Sequence, residues 1–130
     1  MVEHFFDTSK PMIPVMVTLN GKKGMVRVHG VVDTGSTFVG IPEEIAETLG
    51  YDKKKVKEKV KVATNSGMVQ LPLITLDEVS VLNMTATRVK AVIIPFTEES
   101  RINCLIGLTF LRNFNIAIDY TTGSLTVEEG

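Results

Sequence analysis

β-strand patterns dominate the chain: apolar and polar residues alternate over residues 13–19, as in a half-buried strand, and further apolar, β-branched runs follow. The longer segments of this kind, rich in β-branched residues, cover 13–19, 25–32, 73–81 and 87–94, and the shorter ones cover 60–64, 68–71, 116–119 and 124–127. Turn-forming residues separate neighbouring segments at Asn20-Gly21, near Leu82-Asn83 and at Thr121-Thr122-Gly123. The pattern therefore predicts an all-β fold built largely from hairpins.

Two short segments depart from this alternation and predict helices. Residues 42–49 begin with a proline and two glutamates and are followed by a glycine, which are the preferences of helix ends. Residues 107–113 carry an apolar face that includes Phe110. A polar loop is predicted over residues 97–103, and Pro72 predicts a bulge or an edge position in its strand.

Composition narrows the class of protein. The chain has 130 residues, of which 44% are hydrophobic, and its mean hydropathy is +0.19. This length predicts a single domain over residues 1–130 with its own core, and the apolar content indicates some surface buried against a partner. The net charge of −1 gives no global attraction to nucleic acid or to an anionic membrane. No apolar run reaches membrane-spanning length.

Residues that would indicate other chemistries are sparse. His4 and His29 have no further ligands at metal-binding spacing, so we expect neither a metal site nor a cofactor. Cys104 is the single cysteine and lies in an apolar run, which is typical of a small buried hydrophobe. One cysteine, together with an N-terminus that lacks the pattern of a secretory signal, predicts a cytoplasmic protein.

The most charged segment of the chain covers residues 53–61 and contains six lysines. It could be a basic patch for nucleic acid or a solvated strand edge and loop. Val56 and Val60 are interleaved with the lysines, and Asp52 and Glu58 dilute the charge. We therefore predict a solvated edge, where lysines discourage incorrect strand pairing, and no nucleic-acid partner.

An acidic residue follows one of the apolar strands directly, in the sequence Val31-Val32-Asp33-Thr34-Gly35-Ser36. A buried strand that ends in an acid and a glycine turn delivers a carboxylate onto a sharp loop. Hydroxyl groups and loop amides can then hydrogen-bond that carboxylate. This favours a reactive carboxylate, while the alternative is an Asp that merely caps a turn.

Three segments together resemble the aspartic proteases. Residues 32–37 resemble their catalytic loop, residues 105–111 (Leu-Ile-Gly-Leu-Thr-Phe-Leu) resemble the hydrophobic-hydrophobic-Gly segment behind that loop, and residues 62–67 resemble the tip of the flap hairpin. Their order and spacing are similar to the single-domain, retropepsin-like members, over about residues 16–127. The resemblance implies an all-β fold with two short helices, a retropepsin-like acid protease β-barrel with one lobe per chain, and aspartic-type endopeptidase activity.

The same resemblance implies roles for individual residues in the loop. Asp33, Thr34 and Gly35 are expected to be catalytic: Asp33 supplies the acid, Thr34 hydrogen-bonds across a two-fold axis, and Gly35 lets the backbone approach the carboxylates. Ser36 is expected to bind substrate and to hydrogen-bond the outer oxygen of Asp33. Gly107 is expected to permit close packing beneath the loop.

A flap hairpin is implied in the same way. Thr64, Asn65, Ser66 and Gly67 are expected to close over a peptide or protein substrate and exclude water. Many aspartic proteases carry an aromatic residue near the flap tip, and this hairpin has none.

One chain supplies one such acid, and hydrolysis by a carboxylate-activated water requires two. Asp7 is followed by Thr-Ser without the glycine, and Asp119 also lacks the glycine turn, so neither provides a second copy. A two-fold dimer would place Asp33 beside its own copy, which predicts a homodimer. The alternatives are a non-proteolytic retropepsin-like domain for dimerisation or peptide binding, and an unrelated β protein.

Overall fold

The computed structural model describes residues 1–64, 67–95 and 103–130. Within these residues the chain forms ten strands and two helices: β1 (Val2–Phe5), β2 (Ile13–Gly21), β3 (Gly24–Val32), β4 (Val39–Pro42), α1 (Glu43–Thr48), β5 (Lys59–Thr64), β6 (Gly67–Val81), β7 (Met84–Ile94), β8 (Leu105–Ile106), α2 (Leu108–Leu111), β9 (Phe114–Asp119) and β10 (Ser124–Glu129). The predicted all-β class with two short helices is confirmed.

Six strands close into a barrel in the order β2, β3, β8, β4, β7, β6, and β6 pairs again with β2. The closing register places Val17 opposite Val81 and Leu19 opposite Val79, and all four side chains are buried. Closure removes the two open edges that a flat sheet would have. Each barrel strand thus has one face in the core and one face in solvent, which accounts for the alternation in the sequence.

The barrel interior holds the main hydrophobic core. Among its fully buried side chains are Leu19, Ile41, Leu76 and Phe110, and burial of a side chain of this size contributes about 1.5–3 kcal/mol. Cys104 is also fully buried, and desolvation raises its pKa to about 12. The thiol therefore stays protonated near neutral pH, as expected for a small buried hydrophobe.

A second sheet of three strands has the order β1, β10, β9. Leu125 and Val127 of β10 are buried against the barrel. The ring nitrogen Nε2 of His4 lies 2.8 Å from the carbonyl oxygen of Pro14, which connects β1 to the start of β2. The edges of β1 and β9 that face away from β10 have no strand partner among the described residues.

The first hairpin turn lies two residues beyond the position that the sequence predicted. Asn20 and Gly21 are the last residues of β2, and Lys22 and Lys23 form the turn. Gly21 is required by packing rather than by turning, since a Cβ atom there would lie 2.8 Å from the Cβ of Leu49. The prediction of a turn at Asn20-Gly21 was therefore wrong in position, although the hairpin is present.

Strand β6 is long because it belongs to two structures. Residues 67–72 pair with β5 in a two-stranded ribbon, and residues 73–81 pair with β7 in the barrel. Pro72 is the last ribbon residue, opposite Lys59, and its other side has no strand partner among the described residues, so the predicted edge position is confirmed. Of the loop predicted over 97–103, residues 97–102 lie outside the described residues.

Candidate active site

The candidate catalytic carboxylate lies in a short loop between β3 and β4. The backbone N–H of Asp33 donates to the carbonyl of Ile106 in β8 at 2.9 Å, which fixes the loop to the barrel. The backbone N–H of Gly35 donates to Asp33 Oδ1 at 3.0 Å, and that of Ser36 donates to the Asp33 carbonyl at 3.2 Å. Asp33 is half-buried, so its carboxylate is held by a loop amide and still faces solvent.

Helix α2 supports this loop from beneath. The N–H of Leu108 donates to the carbonyl of Ser36 at 2.8 Å, and the N–H of Thr109 donates to that of Thr37 at 2.9 Å. Such close approach requires glycine before the helix: a Cβ atom on Gly107 would lie 2.6 Å from the Ser36 carbonyl oxygen and would also overlap the Phe38 carbonyl. The expected role of Gly107 beneath the loop is confirmed.

One residue of this support was not identified from the sequence. The Thr109 hydroxyl is buried, accepts a hydrogen bond from the N–H of Val39 at 3.0 Å and donates to the carbonyl of Lys90 at 2.7 Å. It joins α2 to β4 and β7 where the loop that carries Asp33, which we name the acid loop (residues 33–38), returns to the barrel. The sequence did contain a signal for this role: Thr109 is the one hydroxyl residue in the apolar run of residues 105–111. A polar group in a buried segment requires hydrogen-bond partners.

The hydroxyl group of Ser36 makes a different bond from the one expected. Its Oγ donates to the carbonyl of Phe38 at 2.9 Å, rather than to the outer oxygen of Asp33. The turn at the end of the loop brings the Phe38 carbonyl within reach, so Ser36 braces the loop backbone. A hydrogen bond to a nearby backbone carbonyl competes with the expected bond to Asp33 for the same hydroxyl group.

Thr34 and Gly35 are exposed at the tip of the loop. A Cβ atom on Gly35 would lie 3.4 Å from Asp33 Oδ1, an ordinary contact, and the φ angle of Gly35 lies outside the left-handed region. Within the described part of the chain, therefore, nothing requires glycine at position 35. Thr34 likewise makes no hydrogen bond to a described residue.

Two of the predicted flap residues, Thr64 and Gly67, lie at the end of the β5–β6 ribbon. Thr64 is paired with Gly67, and its Oγ1 donates to the Gly67 carbonyl at 2.8 Å. Gly67 has a φ of 109°, a conformation that side chains disfavour. Asn65 and Ser66 lie outside the described residues. The described flap residues belong to the β5–β6 ribbon, and Asp33 belongs to the connection between β3 and β4.

Residues 1–64, 67–95 and 103–130 contain no group of three or more His, Cys, Asp or Glu side chains that could hold a metal ion. Over the same residues, the structure has no helix that is both long and apolar enough to cross a bilayer.

A closed barrel with an Asp-Thr-Gly loop held from beneath by a Gly-initiated helix defines one lobe of an acid protease. The family described as aspartyl protease matches residues 15–110, and the chain belongs to that family. Among solved structures, a retropepsin-like aspartic protease from Rickettsia conorii matches with a TM-score of 0.71 and 22% identity, covering 96% of this chain and 98% of that one. At this identity the likeness establishes the retropepsin-like fold. Curated proteins gave no match.

Proposed function

We propose that residues 1–130 form a homodimeric aspartic endopeptidase in which one Asp33 from each chain activates a water molecule for peptide hydrolysis. The observation that carries this proposal is the half-buried Asp33 carboxylate, held by the Gly35 amide on a loop that α2 supports. One carboxyl of the pair acts as the base on water, and the other, protonated, polarises the peptide carbonyl.

The loop tip supports the pairing of two chains. Thr34 is exposed, and the chain itself places no steric demand for glycine at position 35. Both features fit a contact made outside the chain. In the proposed dimer, Thr34 hydrogen-bonds across the two-fold axis and Gly35 leaves room for the partner loop and the substrate. We propose that Ser36 and the hairpin residues Thr64, Asn65, Ser66 and Gly67 line the substrate site.

We propose that the two chains pair through β9. This six-residue strand (Phe-Asn-Ile-Ala-Ile-Asp) contains none of the lysines or prolines that usually protect an open edge. Antiparallel pairing of β9 with its copy would give one continuous sheet of six strands. Because β9 begins three residues after α2, which carries the acid loop, this pairing would also bring the two loops toward the same axis.

Ala117→Lys tests the proposal. Ala117 is exposed near the centre of β9, so lysines there would lie close to each other on the same face beside the proposed axis, and like charges at such distances oppose pairing. We expect dimers in sedimentation experiments to be replaced by monomers, and cleavage of a varied peptide pool, assayed with a metal chelator present, to be lost.

Thr126→Lys is the matched control, because Thr126 lies opposite Ala117 on the middle strand β10, away from the open edge. This variant should remain dimeric and active. An Ala117→Lys protein that is monomeric and still cleaves peptides would contradict the shared site.

A non-proteolytic peptide-binding or dimerisation domain is the second candidate. It is favoured by the absence of an aromatic residue between positions 62 and 69 of the hairpin. The peptide-pool assay separates the two, since this candidate predicts dimers without cleavage at any pH. A cytoplasmic location remains part of the proposal and is supported by the single, buried Cys104.

A further inference from the structure

Lysines are concentrated at one end of the barrel although the net charge of the chain is only −1. Six exposed lysines lie there and two more follow along β5, and we name the eight together the lysine surface: Lys22, Lys23, Lys53, Lys54, Lys55 and Lys57, with Lys59 and Lys61 on β5. The surface includes four acidic residues: Glu43, Glu47, Asp52 and Glu58. Of the 13 basic and 13 acidic residues in the described part of the chain, five and nine lie elsewhere. The protein is therefore strongly polarised.

Five lysines of the lysine surface line an open groove of about 840 Å³: Lys22, Lys23, Lys54, Lys55 and Lys57. Its wall includes Tyr51, whose ring is buried and whose hydroxyl donates to the carbonyl of Thr75 in β6 at 2.7 Å. The ammonium group of Lys22 lies 5.2 Å from the centre of that ring. The groove thus has a fixed wall, with exposed cationic side chains along its rim.

Most of this positive charge has no direct compensation. Among the described residues, the one ion pair of this surface joins Lys53 to Glu43 at 2.9 Å. The Asp52 carboxylate accepts a hydrogen bond from the backbone N–H of Lys54 at 2.9 Å, which stabilises the local turn. An anionic ligand would therefore meet several ammonium groups in a concave surface, where their fields add.

The part of the groove that Lys22 and Lys23 form lies at the end of β3 opposite to Asp33. Lys22 and Lys23 precede β3 and Asp33 follows it, and nine residues of strand span about 30 Å. The lysine surface continues into β5, where Lys59 and Lys61 are exposed along the ribbon. A chain that passes the ribbon in an extended conformation would reach the groove after about ten residues.

We propose that the groove is a docking site for an acidic, extended segment of a protein substrate, about ten residues from the bond that is cleaved. The binding of an acidic peptide is independent of catalysis, whereas its role in substrate choice rests on the proposed function. Acidic peptide fits better than nucleic acid, because four acids interrupt the lysines and the one aromatic ring in the wall, Tyr51, is buried and offers no stacking face.

Binding is tested on the full chain carrying Asp33→Asn, with a fluorescent dodecapeptide rich in Glu as the probe. We expect the triple variant Lys54→Gln/Lys55→Gln/Lys57→Gln to weaken binding about tenfold, because three exposed charge contacts are lost. The matched control removes three exposed cations elsewhere, as Lys10→Gln/Arg27→Gln/Arg112→Gln, and should change binding less than about twofold. Circular dichroism checks that each protein is folded.

Three results would overturn the docking site: no binding of the peptide, equal weakening by both triple variants, or tighter binding of a single-stranded oligonucleotide of equal charge. In active protein, a substrate with an acidic segment should have a lower KM than one with a neutral segment, with kcat unchanged, and the lysine variant should remove that difference. If nothing is cleaved, the proposed protease function is wrong, and the binding measurement still shows whether the groove binds an acidic peptide.

Discussion

Replacing Asp33 by Asn should reduce peptide cleavage by roughly 10³-fold or more, because removal of a general base typically costs 10²–10⁴-fold and no second acid remains. The fold should be preserved. The amide oxygen of Asn can still accept the hydrogen bond from the Gly35 N–H, and the bond from the Asp33 N–H to the Ile106 carbonyl involves only backbone. Cleavage of a peptide pool and thermal unfolding measure the two effects separately.

The wild-type rate should be bell-shaped with pH on the acidic side of neutrality. Two carboxyls in contact release their protons in separate steps, and only the singly protonated pair contains both a base and an acid. The two apparent pKa values that such a profile gives therefore describe the pair of carboxyls and not either residue alone. Equal cleavage by the wild type and Asp33→Asn would show that Asp33 is not the catalytic acid.

Replacing Gly107 by Ala should give the largest loss of stability of any single methyl addition near the site. The added Cβ would overlap the carbonyl groups of Ser36 and Phe38, which are backbone atoms and cannot rotate away. Overpacking of this kind costs about 1–3 kcal/mol, so we expect Tm to fall by roughly 3–12 °C. Thermal unfolding followed by circular dichroism measures the change.

Gly35→Ala is the matched comparison, because its added Cβ would make only an ordinary contact with Asp33. We expect Tm to change little and peptide cleavage to fall strongly, since position 35 is free within the chain and crowded only in the proposed dimer. A Gly35→Ala protein that unfolds like Gly107→Ala would show that the loop glycine serves the lobe itself. Full activity in Gly35→Ala would contradict a close approach of two loops.

The sequence pattern predicted the long strands well. A barrel strand has one face in the core and one in solvent, so its buried residues show in the sequence as an alternation of apolar and polar positions. Strand β2 is the clearest case, with buried residues at every second position, and β6 and β7 alternate in shorter stretches. The hairpin turn at Leu82 and Asn83 was also located, and both residues have positive φ angles, as a tight two-residue turn requires.

Short strands were missed for a physical reason. Strands β1, β4 and β8 contain four, four and two residues, too few to show a period. Their conformation is set by partners distant in sequence: β8 lies between β3 and β4, with Leu105 opposite both Val31 and Gly40. Pairing of this kind depends on the closed barrel and leaves no local signal.

The acid loop was identified because its chemistry is concentrated in one short motif. Its scaffold was identified only in part: glycine at position 107 was expected, but the Thr109 hydroxyl bond to Val39 was not. That bond joins residues 70 positions apart, so no local pattern contains it. The bond from Ser36 to Phe38 is local, but a hydroxyl has several partners within reach, and only the folded loop decides between them.

Mixing wild-type chains with Asp33→Asn chains at constant total concentration tests the shared site most directly. If each active site needs one Asp33 from each of two chains, random pairing makes activity follow the square of the wild-type fraction, with about a quarter of full activity in an equal mixture. If each chain carries an independent site, activity follows the fraction itself, and an equal mixture keeps about half. A quadratic dependence is the result that the paired Asp33 carboxylates predict, and a linear one would contradict them.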